Sequence, residues 1–223
     1  MAVASLLLFE CVALVAADLI VKAGGSPGGP GQAVEISLAA MGVSALAIYA
    51  FAFIARSGFG WRGAGAPWLV LKAYPAFLII WFLISFFAYS RCLDAMGQAL
   101  PPQTVLDYFA GEPGNSSGRF VAILVVCIMG PLSEEIVFRG FVQGALANFM
   151  NRWVAVLTAS AIFGAYHGLL YAFPVGLLGL FFGWLRERTG GLAAPAMAHM
   201  IHNSITVALA LFFPDAMDWL YDR

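Results

Sequence analysis

Residues 119–150 read RFVAILVVCIMGPLSEEIVFRGFVQGALANFM. After Arg119 the stretch is apolar as far as Gly130-Pro131, turns polar at Ser133-Glu134-Glu135, and becomes apolar again around Arg139. A run of this length and hydropathy predicts a membrane-spanning helix. Proline brings no N–H to a helical ladder, so the helix is expected to kink or restart at Pro131, with Ser133 as its N-cap. The fold follows from this reading, because the rest of the chain has the same character.

Of the 223 residues, 62% are hydrophobic and 10% are charged, against about 25% charged in an average soluble domain. Mean hydropathy is +0.88. These values exclude a soluble globular chain and an intrinsically disordered one. A net charge of −1 with no basic cluster leaves no footprint for nucleic acid, so the expected partner surface is the lipid bilayer. Since a spanning helix needs roughly 20 apolar residues, the expected fold is an all-α polytopic membrane protein of about seven helices, the motif-bearing one kinked or broken.

The spans are expected at 3–22, 34–55, 67–90, 119–150, 153–171, 174–187 and 192–213. A Gly/Pro turn (24–32), a basic Gly-rich connection (56–65) and a polar loop (91–118) with one short interfacial helix separate the first four. The first span lacks a basic leader and is interrupted by Glu10, so it reads as an uncleaved helix. Counting only Lys and Arg, five lie on one side and four on the other, which favours the N-terminus inside. Cys11, Cys92 and Cys127 form no CxxC pair and read as small apolar helix residues.

Charged and strongly polar residues are costly at mid-membrane and are functional candidates by default. They cluster: Glu134, Glu135 and Arg139 in the fourth span, His167 in the fifth, His199, His202 and Asn203 in the seventh. All three histidines of the chain are in this set. At about 100° per residue, Glu135 and Arg139 share a face and can form an ion pair, while Glu134 points about 100° away. His199 and Asn203 also lie four apart. His202, offset by about 60° from His199, is the weakest candidate. A base, a second proton carrier and two hydrogen-bond donors are what adding water to a carbonyl requires.

Singly, these residues have ordinary explanations: a structural ion pair, or helix-to-helix hydrogen bonds. Together they are harder to attribute to packing. A literal GxSxG at Gly114-Asn115-Ser116-Ser117-Gly118 sits in a polar turn beside Pro113 and not on an elbow between strand and helix, so no serine nucleophile is assigned. Asp18 and Asp215 lie near span ends and do not resemble a paired aspartyl site.

Three short patterns, EExxxR at Glu134–Arg139, FxxxH at Phe163–His167 and HxxxN at His199–Asn203, occur in that order on the fourth, fifth and seventh hydrophobic segments. In this the chain resembles the CPBP intramembrane proteases, the CAAX-prenyl endopeptidase and bacteriocin-processing family formerly called Abi. The resemblance covers roughly 119–213. It divides the chain into an N-terminal three-helix membrane region (1–118), a catalytic helical core (119–213) and a short acidic tail (214–223).

The resemblance implies that Glu134 and His167 activate water, that His199 and Asn203 stabilise the oxyanion, that Glu135 and Arg139 hold the first motif, and that Phe163 packs beside the site. It implies a reaction without a metal cofactor. Zinc is the alternative, since His167, His199 and a carboxylate would accept it and His202 could join them, although no spacing here is itself a zinc signature. The implied substrate is a membrane-associated peptide or protein tail, and the compact chain suggests a multi-pass protein of a bacterial cytoplasmic membrane. The alternatives are a transporter or proton-conducting protein, for which buried Glu, Arg and His are equally expected, and a non-proteolytic immunity-type member.

Overall fold

The computed structural model describes residues 1–24, 30–55, 66–101, 103–111 and 116–215. Among them every regular element is a helix: α1 (Ala2–Gly24), α2 (Pro30–Ile54), α3 (Ala66–Ala95), α4 (Thr104–Ala110), α5 (116–146), α6 (Arg152–Tyr166), α7 (Ala172–Thr189) and α8 (Ala193–Phe212). Five of these, α1, α2, α3, α5 and α8, are long and apolar enough to cross a bilayer. The protein is therefore a multi-pass helical membrane protein. A helix stands at each of the seven expected places, but α6 has only 15 residues and α7 carries Arg186, Glu187 and Arg188 in its last turn.

Several boundaries differ from expectation for local reasons. α2 begins at Pro30, inside the stretch read as a turn, because proline at the first helical position loses no hydrogen bond. α6 stops at Tyr166 rather than 171, because Gly168 adopts φ +96° and turns the chain out of the helix. α7 continues to Thr189 and ends on Gly190 in the left-handed conformation, whose N–H donates to the Arg186 carbonyl. The connection 56–65, most of the acidic tail, and Gly114-Asn115 of the GxSxG lie outside the described residues.

The chain forms two compact units. The first comprises the described residues within Met1–Ser57, Pro102–Val137 and Met200–Arg223. α1 packs along α2, with the Ser44 hydroxyl donating to the Phe9 carbonyl at 2.5 Å. Its core gathers Leu38, Leu106, Phe109, Ala122, Val125, Cys127, Val207 and Ala210. The expected interfacial helix exists as α4, but it is anchored: Leu106 and Phe109 are buried in that core. Arg119 caps its C-terminal end, donating through Nη2 to the carbonyls of Phe109 and Gly111, both at 2.8 Å. The Tyr108 hydroxyl donates to Glu35 Oε1 at 2.9 Å. Burial, then the hydrogen bond and the negative charge of Glu35, push the Tyr108 phenol above its ordinary value, with Arg119 opposing.

The second unit comprises the described residues within Gly58–Pro101 and Phe138–His199. Its centre is the α6–α7 pair, the most extensive helix pairing within the unit. Gly176, Gly179 and Gly183 line the side of α7 that meets Val156, Ser160 and Gly164 of α6, so the two backbones approach closely. Stacked and tilted aromatic contacts tie α3 to α7, with Phe77 and Phe181 4.1 Å apart between ring centroids. Trp81 Nε1 and the Tyr89 hydroxyl, both on α3, donate to the Pro174 and Leu170 carbonyls and so hold the chain just after His167.

Candidate active site

α5 does not break at Pro131. It passes through by changing its winding: α-helical over Ser116–Leu124, π-helical over Val125–Met129, α-helical over Gly130–Glu134, π-helical over Glu135–Val142, and α-helical to Leu146. Wide π-turns of this kind are frequent at functional sites. Ser133 is not an N-cap, because the residues before it are already helical; its hydroxyl donates to the Gly130 carbonyl at 2.8 Å instead. From Pro131 to Gln143 every residue but Leu132 is buried, so the motif occupies the most enclosed part of the helix.

The first unit holds Glu134, Glu135, His202 and Asn203. Glu134 and Glu135 are buried, at 6% and 0% exposure. They fall on either side of the change from α to π winding, so the α-helical angle expected between Glu135 and Arg139 does not apply along this stretch. With closure over five residues in place of four, positions four apart still lie on one side of the helix. Asn203 Nδ2 donates to the Val126 carbonyl of α5 at 2.9 Å. The Tyr49 hydroxyl donates to the Met129 carbonyl at 2.6 Å. Side chains thus serve the carbonyls of Val126, Met129 and Gly130 around Pro131, where an unmet group would be costly in an apolar setting. His202 is buried on α8, and its carbonyl accepts from Thr206.

The second unit holds Arg139, Phe163, His167 and His199 and gathers them around one ring. The Arg139 guanidinium, fully buried, lies over the face of Phe163 at 4.4 Å and near Phe182 at 5.5 Å, and its Nη2 donates to the Gly179 carbonyl at 3.2 Å. Phe163 meets His167 and His199 edge-on, at 4.7 and 5.9 Å between centroids, and Phe138 at 5.0 Å. Phe182 stacks on His199 at 4.7 Å. Phe138 and Phe182 belong to this cluster but are not among the motif positions; among the chain's 19 phenylalanines, no sequence signal marks them out.

His167 is not inside a helix, as its motif suggests, but at the C-terminal cap of α6. Its Nδ1 is 2.8 Å from the Phe163 carbonyl. A carbonyl oxygen can only accept, so Nδ1 carries the proton and Nε2 is the nitrogen with the lone pair in the neutral ring. His167 is exposed. Among the described residues no three His, Cys, Asp or Glu side chains converge closely enough to hold a metal ion.

Residues 116–205, which contain all three motifs, match the family described as type II CAAX prenyl endopeptidase Rce1-like. Over these residues the chain is similar to that family. The chain is 34% identical over 110 residues to YdiL of Bacillus subtilis (strain 168), which carries a membrane-peptidase name; the match covers 49% of this chain and 42% of YdiL. It is 36% identical over 104 residues to the membrane-embedded CAAX protease MroQ of Staphylococcus aureus (strain USA300), covering 44% and 42%. A 24.3 kDa Escherichia coli protein is 28% identical over 145 residues, covering 62% and 61%. The chain thus spans less than half the length of YdiL and of MroQ. No solved structure matches the chain. The matched stretch starts where α5 starts and ends inside α8, so it takes in the carriers of all three motifs.

Proposed function

We propose that this protein is an intramembrane endopeptidase that hydrolyses a peptide bond near the end of a membrane-associated peptide or protein. The observation that carries the reading is the presence of all three CPBP motifs in the segment that matches Rce1-like endopeptidases. Supporting it, the second unit sets Arg139, His167 and His199 around Phe163.

In this reading Glu134 and His167 Nε2 take a proton from water as its oxygen adds to the scissile carbonyl. His199 and Asn203 donate to the oxyanion, and the proton passes to the leaving amine as the C–N bond breaks. Glu135 and Arg139 hold the first motif, and Phe163 supports the ring of residues around it. No step uses a metal; metal analysis of purified, active protein is the measurement that tests this. By the names of its relatives, the first substrate to try is a C-terminal CAAX tail.

The experiment uses the detergent-solubilised protein and internally quenched peptides ending in a CAAX sequence, with and without a farnesyl group. Cleavage is expected in the wild type, and Glu134→Ala is expected to abolish it while the protein still accumulates in the membrane. Retained cleavage in Glu134→Ala overturns the mechanism. Solute or proton flux into peptide-free liposomes, with no cleavage of any peptide, favours a transporter.

A further inference from the structure

The mechanism does not use Pro131, yet Pro131 determines where Asn203 finds its partner. Over Val125–Met129 the ladder of α5 closes five residues back, and the Gly130 N–H donates to the Val125 carbonyl. The next donor in that register is residue 131, and it should serve the Val126 carbonyl. Residue 131 is proline and has no N–H to give. The Val126 carbonyl is met by Asn203 Nδ2 at 2.9 Å instead.

A carboxamide is planar and its nitrogen carries two hydrogens. Because a carbonyl accepts and does not donate, the contact with Val126 fixes which end of the amide is Nδ2. Holding one N–H on Val126 also fixes the direction of the other. Tyr49 and Ser133 meet the neighbouring carbonyls of Met129 and Gly130 with hydroxyls. Asn203 alone of the three belongs to a CPBP motif.

The geometry points to Pro131 as a positioning residue: by leaving the Val126 carbonyl without a backbone donor, it orients the Asn203 amide so that the second N–H is aimed for use. This rests on the proposed role of Asn203 as an oxyanion donor, but the pairing of the two residues is testable without it.

The test is a double-variant cycle on the full-length protein in detergent, read by melting temperature and by kcat and KM on whichever CAAX peptide the wild type cleaves. Asn203→Ala orphans the Val126 carbonyl and is expected to lower the melting temperature by several degrees. Pro131→Ala supplies the missing N–H in the register set by Gly130, so Pro131→Ala/Asn203→Ala is expected to regain most of that loss. Should Asn203→Ala fail to fold, folding of the double variant is the expected result and failure of both overturns the inference.

In kinetics, Pro131→Ala alone is expected to lower kcat about ten- to a hundredfold with KM little changed, as a misaimed donor does. In the Asn203→Ala background the same change should cost nothing more. No compensation in melting temperature, or an equal kinetic loss in both backgrounds, overturns the assignment. If Asn203→Ala cleaves like the wild type while the compensation holds, the oxyanion role fails and the link between Pro131 and Asn203 stands.

Discussion

Individual residues in the second unit are held by contacts that leave little freedom. Gly168 follows His167 directly and stands at φ +96°, with open space where a side chain would go. Gly168→Ala is therefore opposed by backbone strain alone, on the order of 1–2 kcal/mol. It should lower the melting temperature and, by shifting the cap that carries His167, reduce kcat; a combined thermal and kinetic assay of this variant checks both. At the same scale, Tyr108 links a titration to the fold. Its phenol titrates above the ordinary 10.0 in the folded protein, so the stability it supplies is complete below pH 10 and is lost as pH rises through the folded value. Tyr108→Phe should cost about 1 kcal/mol at neutral pH and should flatten the alkaline fall in stability, as pH-dependent unfolding in detergent would record.

Among the elements, the close approach of α6 and α7 decides most. A methyl group on Gly164 would overlap the Ala172 carbonyl and come within 2.9 Å of the Gly176 nitrogen, both backbone atoms that cannot step aside. Gly164→Ala should therefore push the helices apart and cost about 1–3 kcal/mol, with a larger drop in melting temperature than a methyl at Gly176, whose nearest neighbour is 3.6 Å away. These glycines show why sequence reading reached the helices but not their edges. Apolar runs separated by Gly, Pro and charge place a helix at each of the seven expected positions, five of them long and apolar enough to cross a bilayer, where both hydropathy and length are constrained. Which glycine permits close packing and which ends a helix depends on the neighbour across the gap, and that neighbour is remote in sequence. The motif residues were legible for the same reason as the spans, since charge in an apolar helix is conspicuous. The winding of α5 was not: a proline announces a missing N–H, but whether the chain kinks or widens its turns depends on donors such as Tyr49 and Asn203, which lie 82 residues before it and 72 after.

For the whole molecule, the consequence of composition is physical location. Long faces of α1, α2 and α3 carry exposed Leu, Val, Ile, Phe and Trp, among them Leu14, Phe53, Trp68 and Ile79. Such surfaces are at home only against lipid. The protein should stay in the membrane pellet after alkaline carbonate extraction and leave it only with detergent; release by carbonate alone would contradict the multi-pass fold.

α5 has one further consequence. A helix that closes its ladder over five residues has the geometry of an α-helix that took in one extra residue while its two flanks kept their places. Such stretches stand on both sides of Gly130–Glu134. A single-residue deletion within 125–129, or within 140–142 beyond the motif, can therefore be absorbed by a return to ordinary winding. The same deletion between Gly130 and Glu134 would swing one flank by about 100° against the other. Over evolutionary time, these two wide turns are the places where the helix can change length and keep its glutamates aimed.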